Sequence, residues 1–204
     1  MSRADTAVIL DFETSGLSPN TGDRAIEIGA VKIVEGKIVD RFQSLINPGM
    51  RISPFIEDYT GISNALLRDA PNSEHVMTQF ADFINGFNLV AHNASFDKRF
   101  LDAELQRASQ DYMGSFSCSM LVSRRLLQNA PNHQLATLIR YAGITTDGSY
   151  HRALFDSEMT TKLWLYMLDD IRNRYDIEQI SFSVLQKLSK KTKKSVHSFL
   201  ESCA

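Results

Sequence analysis

Close to the start of the chain, a short apolar run leads directly into two acidic residues: Val8-Ile9-Leu10-Asp11-Phe12-Glu13-Thr14-Ser15-Gly16-Leu17. A run of this length, bounded by a turn, is typical of a buried strand. Asp11 and Glu13 stand two residues apart at its end, so their side chains share one face of that strand. Two like charges on one face repel each other unless a cation neutralises them. The segment therefore indicates either a metal-binding pair of carboxylates or a solvated strand end that enters a turn.

The sequence downstream predicts a mixed sheet flanked by helices. Two antiparallel strands are expected over 26–34 and 38–46, with a tight turn at Glu35-Gly36 and a bulge or burial on both faces near Ala30. Short helical pieces should follow as far as Leu67. A helix over 73–84 ends at Asn85-Gly86, where the helical spacing of the apolar residues stops. Further elements are expected at 89–92 (strand), 95–107 (helix), 116–120 (strand), 134–141 (helix) and 152–172 (helix). Strands first, then alternation of helix and strand, favours an α/β fold.

Charge is unevenly distributed along the chain of 204 residues, whose formal net charge is −2. The last twenty residues contain five lysines and a single acid, Glu201, so this tail carries +4 and the rest of the chain −6. An acidic body cannot hold long duplex DNA by phosphate neutralisation alone. The balance suits an enzyme whose carboxylates bind metal ions and whose grip on nucleic acid is short.

No apolar run approaches the ~18 residues of a membrane span, and the start of the chain has no signal-peptide pattern. The two cysteines, Cys118 and Cys203, are too far apart in sequence to indicate a disulfide framework. We therefore expect a cytoplasmic protein with free thiols and no membrane partner.

Three further residues are candidates for the chemistry. Asp97 falls in the first turn of the helix that Ser95 is expected to cap, where an acid is also stabilised simply by the helix dipole. His151 and Asp156 stand at the head of the last long helix. Five residues turn about 500° around a helix, so these two converge only if His151 lies on the preceding loop. Otherwise His151 is an ordinary loop histidine.

Together these positions supply four carboxylates and one histidine, each at the end of a strand or helix. In a sheet flanked by helices, such ends can gather along one crevice. An all-oxygen ligand set suits Mg²⁺ or Mn²⁺ and gives little reason to expect zinc.

Three stretches resemble, in order, the three motifs of the DnaQ-like (DEDDh) 3′→5′ exonuclease superfamily, in its histidine-bearing version. They are residues 8–17 quoted above, Leu89-Val90-Ala91-His92-Asn93-Ala94-Ser95-Phe96-Asp97, and His151-Arg152-Ala153-Leu154-Phe155-Asp156. Ala25-Ile26-Glu27-Ile28-Gly29-Ala30 and Thr60-Gly61-Ile62-Ser63 are also similar to this superfamily, which includes the exonuclease domain of the DNA polymerase III epsilon subunit. The resemblance covers residues 7–168.

The resemblance implies a ribonuclease H-like fold with a five-stranded mixed sheet and two Mg²⁺ or Mn²⁺ ions. Residues 1–175 would be the exonuclease domain, and 176–204 a basic helical extension packed on it. Asp11, Glu13 and Asp156 would bind one metal, Asp11 bridging to a second. Asp97 would hold the waters of the second metal, and His151 would be the general base.

The substrate contacts follow from the same resemblance. Thr14, Gly16 and Leu17 would meet the terminal nucleotide. His92, Asn93 and Phe96 would line the same groove, where Phe96 either stacks on a base or packs in the helix core. The expected activity is release of nucleoside monophosphates from the 3′ ends of single-stranded DNA, with a DNA polymerase as a candidate partner. Trimming of RNA 3′ ends is the alternative activity, and a non-catalytic nucleic-acid-binding scaffold is a more remote one.

Overall fold

The computed structural model describes residues 2–146 and 152–203. In these ranges five strands form one mixed sheet, β1 (Ala7–Thr14), β2 (Ala25–Val34), β3 (Lys37–Leu45), β4 (Leu89–Ala91) and β5 (Phe116–Cys118), in the order β3-β2-β1-β4-β5. The pairs β1–β2 and β2–β3 are antiparallel, whereas β4 is parallel to both β1 and β5. The predicted five-stranded mixed sheet flanked by helices is confirmed.

The α-helices surround this sheet. Within the described ranges they are α1 (Pro54–Thr60), α2 (Asn64–Asp69), α3 (Ser73–Ile84), α4 (Ser95–Arg107), α5 (Ser119–Leu126), α6 (Leu135–Tyr141), α7 (Ala153–Tyr175), α8 (Phe182–Ser189) and α9 (Val196–Glu201). None of them is long and apolar enough to cross a membrane.

The pleat of β1 separates two hydrophobic cores. Val8 and Leu10 lie in the cluster that also contains the buried residues of α3 and α4. Ala7 and Ile9 point to the other face, in the cluster built from α5 to α9. Since alternate residues of a strand share a face, Asp11 and Glu13 continue the row of Ile9 and are directed toward the side of the sheet covered by α7.

The C-terminal segment shares the core of the α7 face. Phe182, Leu185 and Leu188 are buried in the same cluster as Ile9 and Trp164. The side-chain amide of Gln186 donates a hydrogen bond of 2.8 Å to the carbonyl of Phe116, so α8 also covers the free edge of β5. The division of the chain at residue 175 stays a prediction.

Local details differ from the sequence prediction in two places, at the start of α4 and at the end of β5, whereas the predicted burial of β2 on both faces is confirmed. Ser95 does not cap α4, because the N-cap position is Ala94, whose backbone is already helical, and Ser95 lies inside the first turn. The strand predicted over 116–120 ends at Cys118, and α5, which was not predicted, starts at the next residue. β2 is buried on both faces from Ala25 to Val31, and its pairing with β3 also shifts register between Lys32 and Ile33.

Candidate active site

Three carboxylates meet where β1 passes the start of α7. Asp11 and Glu13 come from the end of β1, and Asp156 comes from the first turn of α7. Each offers an oxygen, and these oxygens all lie within 4.8 Å of one another. Glu13 and Asp156 are buried, and Asp11 is half-buried. Such a spacing of hard oxygen donors fits one divalent cation such as Mg²⁺ or Mn²⁺.

The protonation of this cluster agrees with a cation site. Burial, and then the charges of Asp97 and Asp156, raise the pKa of Asp11 well above its usual range. The pKa of Glu13 is raised to about 8, first by burial and then by the charges of Asp156 and Glu27. Neighbouring buried carboxylates raise one another's pKa because they cannot all ionise without a counter-charge. A divalent ion supplies that charge and would replace the protons.

Asp97 approaches the cluster from the opposite face of the sheet. It lies in the first turn of α4, is 2% exposed, and its Oδ1 accepts a hydrogen bond of 3.2 Å from the backbone N–H of Phe12. This bond ties α4 to β1 between Asp11 and Glu13. Burial raises the pKa of Asp97 to about 7, and the bond from Phe12 acts against that rise. Asp97 is thus held beside Asp11, outside the group of three whose oxygens converge.

The start of α7 is fixed on β2 by a buried acid. The carboxylate of Glu27 accepts hydrogen bonds from Nη2 and Nε of Arg152, at 2.8 and 3.2 Å, and from the N–H of Ala153 at 3.1 Å. Gln43 of the neighbouring strand donates a further bond of 3.0 Å to it. Glu27 is fully buried, and these hydrogen bonds offset the free-energy cost of removing its carboxylate from water.

A glycine of the same strand lets α7 come close. A side chain at Gly29 would place its Cβ only 2.1 Å from the N of Leu154 and 2.2 Å from the carbonyl carbon of Ala153. The hydroxyl of Ser157 donates a hydrogen bond of 2.9 Å to the carbonyl of Gly29. Glu27 and Gly29 both belong to Ala25-Ile26-Glu27-Ile28-Gly29-Ala30, and their role here is to seat the helix that carries Asp156.

His151 lies outside the described residues. It directly precedes Arg152, and the guanidinium of Arg152 donates hydrogen bonds to Glu27. Its predicted role as the general base therefore stays a prediction.

The acidic cluster opens into a cleft of about 780 Å³. The four carboxylates and all six predicted substrate-binding residues line it: Asp11, Glu13, Asp97, Asp156, Thr14, Gly16, Leu17, His92, Asn93 and Phe96. Leu17 is 79% exposed at its mouth. The hydroxyl of Thr14 donates a hydrogen bond of 2.7 Å to the carbonyl of Gly16, which fixes the turn between them.

The residues from the second stretch reach the cleft in different ways. Both ring nitrogens of His92 are engaged within the protein, Nδ1 with the hydroxyl of Ser119 and Nε2 with the carbonyl of His133, each at 2.9 Å. Burial lowers the pKa of His92 to about 4, so the ring is neutral near pH 7. Asn93 is exposed, with a left-handed φ of 71° that Asn tolerates better than most residues.

Phe96 combines the two roles that the sequence left open. It is half-buried, packs against Phe100 with ring centroids 5.0 Å apart, and still lines the cleft.

Two aromatic residues of α1 were missed in the sequence. Phe55 and Tyr59 line the cleft, are 72% and 52% exposed, and stack on each other with centroids 6.0 Å apart and an interplanar angle of 12°. The signal was present, since residues four apart share one face of a helix. Ser53 caps this helix and Gly61, at a φ of 70°, ends it.

Comparison with known proteins agrees with this geometry. Residues 8–164 match the family RNase_T, described as exonuclease. The chain belongs to this exonuclease family. The resemblance to DnaQ-like exonucleases is thereby confirmed, and the chain is a member of a family of nucleases, enzymes that hydrolyse phosphodiester bonds.

Curated relatives include DNA polymerase III PolC-type proteins. The protein from Caldanaerobacter subterraneus subsp. tengcongensis is 38% identical over 165 residues, covering 81% of this chain and 12% of the relative. The protein from Bacillus subtilis is 37% identical over 172 residues, again covering 81% and 12%. The chain thus spans about 12% of the length of these relatives.

Solved structures share the ribonuclease H-like fold. Exonuclease X in complex with 5′ overhanging duplex DNA superposes with a TM-score of 0.68 and 28% identity, covering 90% of this chain and 99% of that one. The nuclease domain of 3′hExo, a DEDDh family member bound to rAMP, superposes with a TM-score of 0.68 at 23% identity, covering 81% and 92%. The second likeness shows the fold alone.

Proposed function

We propose that this chain is a metal-dependent 3′→5′ exonuclease that releases nucleoside monophosphates from single-stranded DNA ends by two-metal hydrolysis. The observation that carries the proposal is the convergence of Asp11, Glu13 and Asp156 within 4.8 Å beside an open cleft. Buried carboxylates with raised pKa values that lie together in a cleft are typical of functional sites.

The carboxylates divide into two positions. Asp11, Glu13 and Asp156 would hold one cation; Asp11 would also bind a second, whose waters Asp97 would hold. When bound, two such ions polarise the phosphodiester, activate water and stabilise the departing oxygen. The fold must hold the four acidic side chains in fixed positions. The N–H of Phe12 does this for Asp97, and the bond between the N–H of Ala153 and Glu27 does it for the helix that carries Asp156.

A general base is the remaining requirement, and His151 is our candidate. His92, which lines the cleft, does not compete for this role, since both of its ring nitrogens already form hydrogen bonds within the protein. Histidine has an unperturbed pKa close to neutrality, which suits removal of a proton from water.

Single strands fit the cleft better than duplexes. The exposed rings of Phe55 and Tyr59 and the partly exposed ring of Phe96 offer apolar faces on which unpaired bases can stack. Stacking is tolerant of sequence, because every base has a π-face. The binding of the terminal nucleotide would therefore depend little on which base it carries.

DNA is the substrate that the relatives support. The PolC-type relatives are DNA polymerases by name, and Exonuclease X was solved with DNA. The same relatives make a DNA polymerase the proposed protein partner.

The proposal is tested by digesting DNA and RNA oligonucleotides of matched sequence and length, with Mg²⁺ or Mn²⁺ and with excess EDTA. We expect nucleoside monophosphates from DNA in the presence of metal, slower release from RNA, and none from either in EDTA. Asp11→Asn serves as the inactive control and should bring both rates to background. Faster release from RNA would contradict the choice of DNA, and release that Asp11→Asn does not reduce would contradict the assigned site.

A further inference from the structure

A second groove adjoins the cleft at the start of α4. It has a volume of about 380 Å³ and lies between α4, β5, α5 and α8. The polar residues that matter for its chemistry are Lys98, Lys187, Lys190, Ser95, Ser183 and Gln186.

The groove lies next to the cleft at the turn that leads into α4. Asn93 and Phe96 line the cleft, and the two residues between them, Ala94 and Ser95, line the groove. A polymer that leaves the cleft past this turn therefore meets the groove next. A small molecule bound in the cleft would have no reason to extend that far.

The groove carries positive charge on an otherwise acidic protein. None of the residues that line it is acidic, among those that the structure describes. Lys187 and Lys190 are exposed and form no ion pair with any described residue. Lys98 is paired with Asp102 one turn further along α4. The rest of the chain, without its last twenty residues, has a net charge of −6 and would repel phosphate; the two unpaired lysines offset that repulsion at the groove.

The lysines stand on a well-anchored element. Phe182, Leu185 and Leu188 of α8 are buried, and Gln186 is bonded to the carbonyl of Phe116 on β5. Lys187 therefore projects from a helix fixed to the sheet edge, and Lys190 follows at its C-cap. The backbone of both lysines is thereby held in a fixed position beside the groove. The family match ends at residue 164, so α8 lies beyond the matched part.

We propose that this groove, with Lys187 and Lys190, binds the backbone phosphates of the nucleic-acid strand whose 3′ end occupies the cleft. The inference rests on the proposed function. The hydroxyls of Ser95 and Ser183 add neutral donors for the same phosphate oxygens. A nucleic-acid strand is favoured over an acidic protein segment because the groove lies beside the cleft that would hold the 3′ end.

The chain supplies a matched control within the same basic tail. Lys193 and Lys194 lie on a short 3₁₀ turn, Lys193–Ser195, and do not line the groove. The carbonyl of Lys193 accepts a bond of 3.2 Å from Gln128 on the other side of α5. Removing these two charges lowers the net charge by the same amount without changing the groove.

The test compares Lys187→Gln/Lys190→Gln with Lys193→Gln/Lys194→Gln. Binding of a single-stranded DNA of about 20 nucleotides is followed by fluorescence anisotropy in EDTA, which prevents cleavage, over a range of salt concentrations. Each phosphate contact on a single strand contributes ~0.7 to the slope of log affinity against log salt. We expect the groove double variant to lose about 1.4 from this slope, the control pair to keep it, and Lys187→Arg/Lys190→Arg to restore it.

Digestion of the same strand with Mg²⁺ separates this inference from the proposed function. If the salt slope falls in the groove variant as expected but the wild-type protein releases no nucleotides, the proposed function is wrong and the groove assignment stands. Suppose instead that the wild-type protein trims DNA. The groove assignment is then wrong if the salt slope is unchanged in the groove variant, or if the control pair loses as much slope as the groove variant does. In the digestion assay, Lys187→Gln/Lys190→Gln should raise KM more for the long strand than for a dinucleotide, because a dinucleotide is too short to reach the groove.

Discussion

Glu27 accepts two hydrogen bonds from the guanidinium of Arg152, at 2.8 and 3.2 Å, so a buried acid in the middle of the sheet fixes the residue where α7 begins. The same carboxylate accepts from the N–H of Ala153, and Asp156 lies three residues further along this helix. Glu27 does not line the cleft and is not one of the three carboxylates whose oxygens converge, although its charge also raises the pKa of Glu13. Its place in the chemistry is therefore one of positioning.

Replacing Glu27 by Gln should weaken metal binding more than it weakens the fold. The amide cannot accept from Arg152 and Ala153 as the carboxylate does, so the start of α7 should shift and carry Asp156 away from Asp11. Loss of a group that orients metal ligands typically costs roughly 10–100-fold in metal affinity or activity. Isothermal titration with Mn²⁺ and the turnover number measure the two effects.

Glu104→Gln is the control for Glu27→Gln. Glu104 is also fully buried and is bonded to Arg24, Arg107 and Ser73, but on the opposite face of the sheet. Its replacement should lower stability by a similar amount and leave the Mn²⁺ affinity unchanged. Equal losses of affinity in the two variants would reduce the role of Glu27 to general stability.

The aromatic pair on α1 should set the affinity for single strands. Base stacking on an aromatic side chain contributes about 1–3 kcal/mol per base, which corresponds to roughly 5- to 150-fold in binding. Phe55→Ala and Tyr59→Ala should therefore raise KM for single-stranded DNA by factors in that range, with a smaller change in turnover at saturation. Steady-state kinetics on an oligonucleotide measure both constants.

Tyr59→Phe keeps the ring and removes the hydroxyl, so stacking predicts a KM close to that of the wild type. If Phe55→Ala and Tyr59→Ala both bind single strands as tightly as the wild type, the exposed rings have no part in substrate binding.

The metal-free protein should lose stability as pH rises from about 4.5 to about 8. The pKa of Glu13 is about 8 in the folded chain and 4.5 without burial, so the folded state binds more protons than the unfolded state throughout that window. Stability therefore falls as pH rises through it and levels off above pH 8. The pKa of Asp97, at about 7, acts in the same direction. Melting temperatures in EDTA test this, and Glu13→Gln should show a shallower decline than the wild type.

Mg²⁺ should reverse this loss, most strongly at the alkaline end, where protons no longer compete for the carboxylates. At 100 times its Kd, a ligand adds about 2.7 kcal/mol, which raises the melting temperature of a chain of this size by roughly 5–10 °C. Asp156→Asn should reduce the rise. A rise that is the same at pH 5 and pH 8, or the same in Asp156→Asn, would argue against cation binding by this cluster.

His151→Ala should lower turnover by roughly 10²–10⁴-fold, the usual contribution of a positioned base, while metal binding persists. In the wild type, turnover should fall as pH drops through the pKa of this histidine, because a base must be neutral to accept a proton. His92, with a pKa of about 4, is neutral over that range and cannot cause the decline. Asp156→Asn should differ from His151→Ala by weakening metal binding as well. Normal turnover in His151→Ala at every pH would remove His151 from the mechanism.

The strands and the shared face of Asp11 and Glu13 were predictable because both follow from local patterns, whereas the meeting of these two residues with Asp156 was implied only by the family resemblance. The alternation along residues 8–13 places Asp11 and Glu13 on the face of Ile9, and the long apolar periodicity after residue 152 places a helix over that face. The end of α3 at Asn85 is likewise local, since it depends on residues within one turn.

What the sequence did not reveal depends on contacts between distant segments. The ring of His92 is held by Ser119 and His133, 27 and 41 residues away, so its engagement in the protein has no local signal. The role of Glu27 depends on Arg152, 125 residues away. α5 was missed because it follows β5 without an intervening turn. The groove beside α8 forms only when the C-terminal segment packs on the edge of β5.

Trimming from the 3′ end by the acidic cluster can be followed on a single-stranded DNA labelled at its 5′ end. With Mg²⁺, we expect a ladder of labelled products that shorten one nucleotide at a time, with nucleoside monophosphates as the other product. EDTA and Asp156→Asn should each suppress the ladder. Immediate release of a labelled mononucleotide would show cleavage from the 5′ end instead, and internal cleavage products would show an endonuclease. An undiminished ladder in EDTA would exclude a metal-dependent reaction.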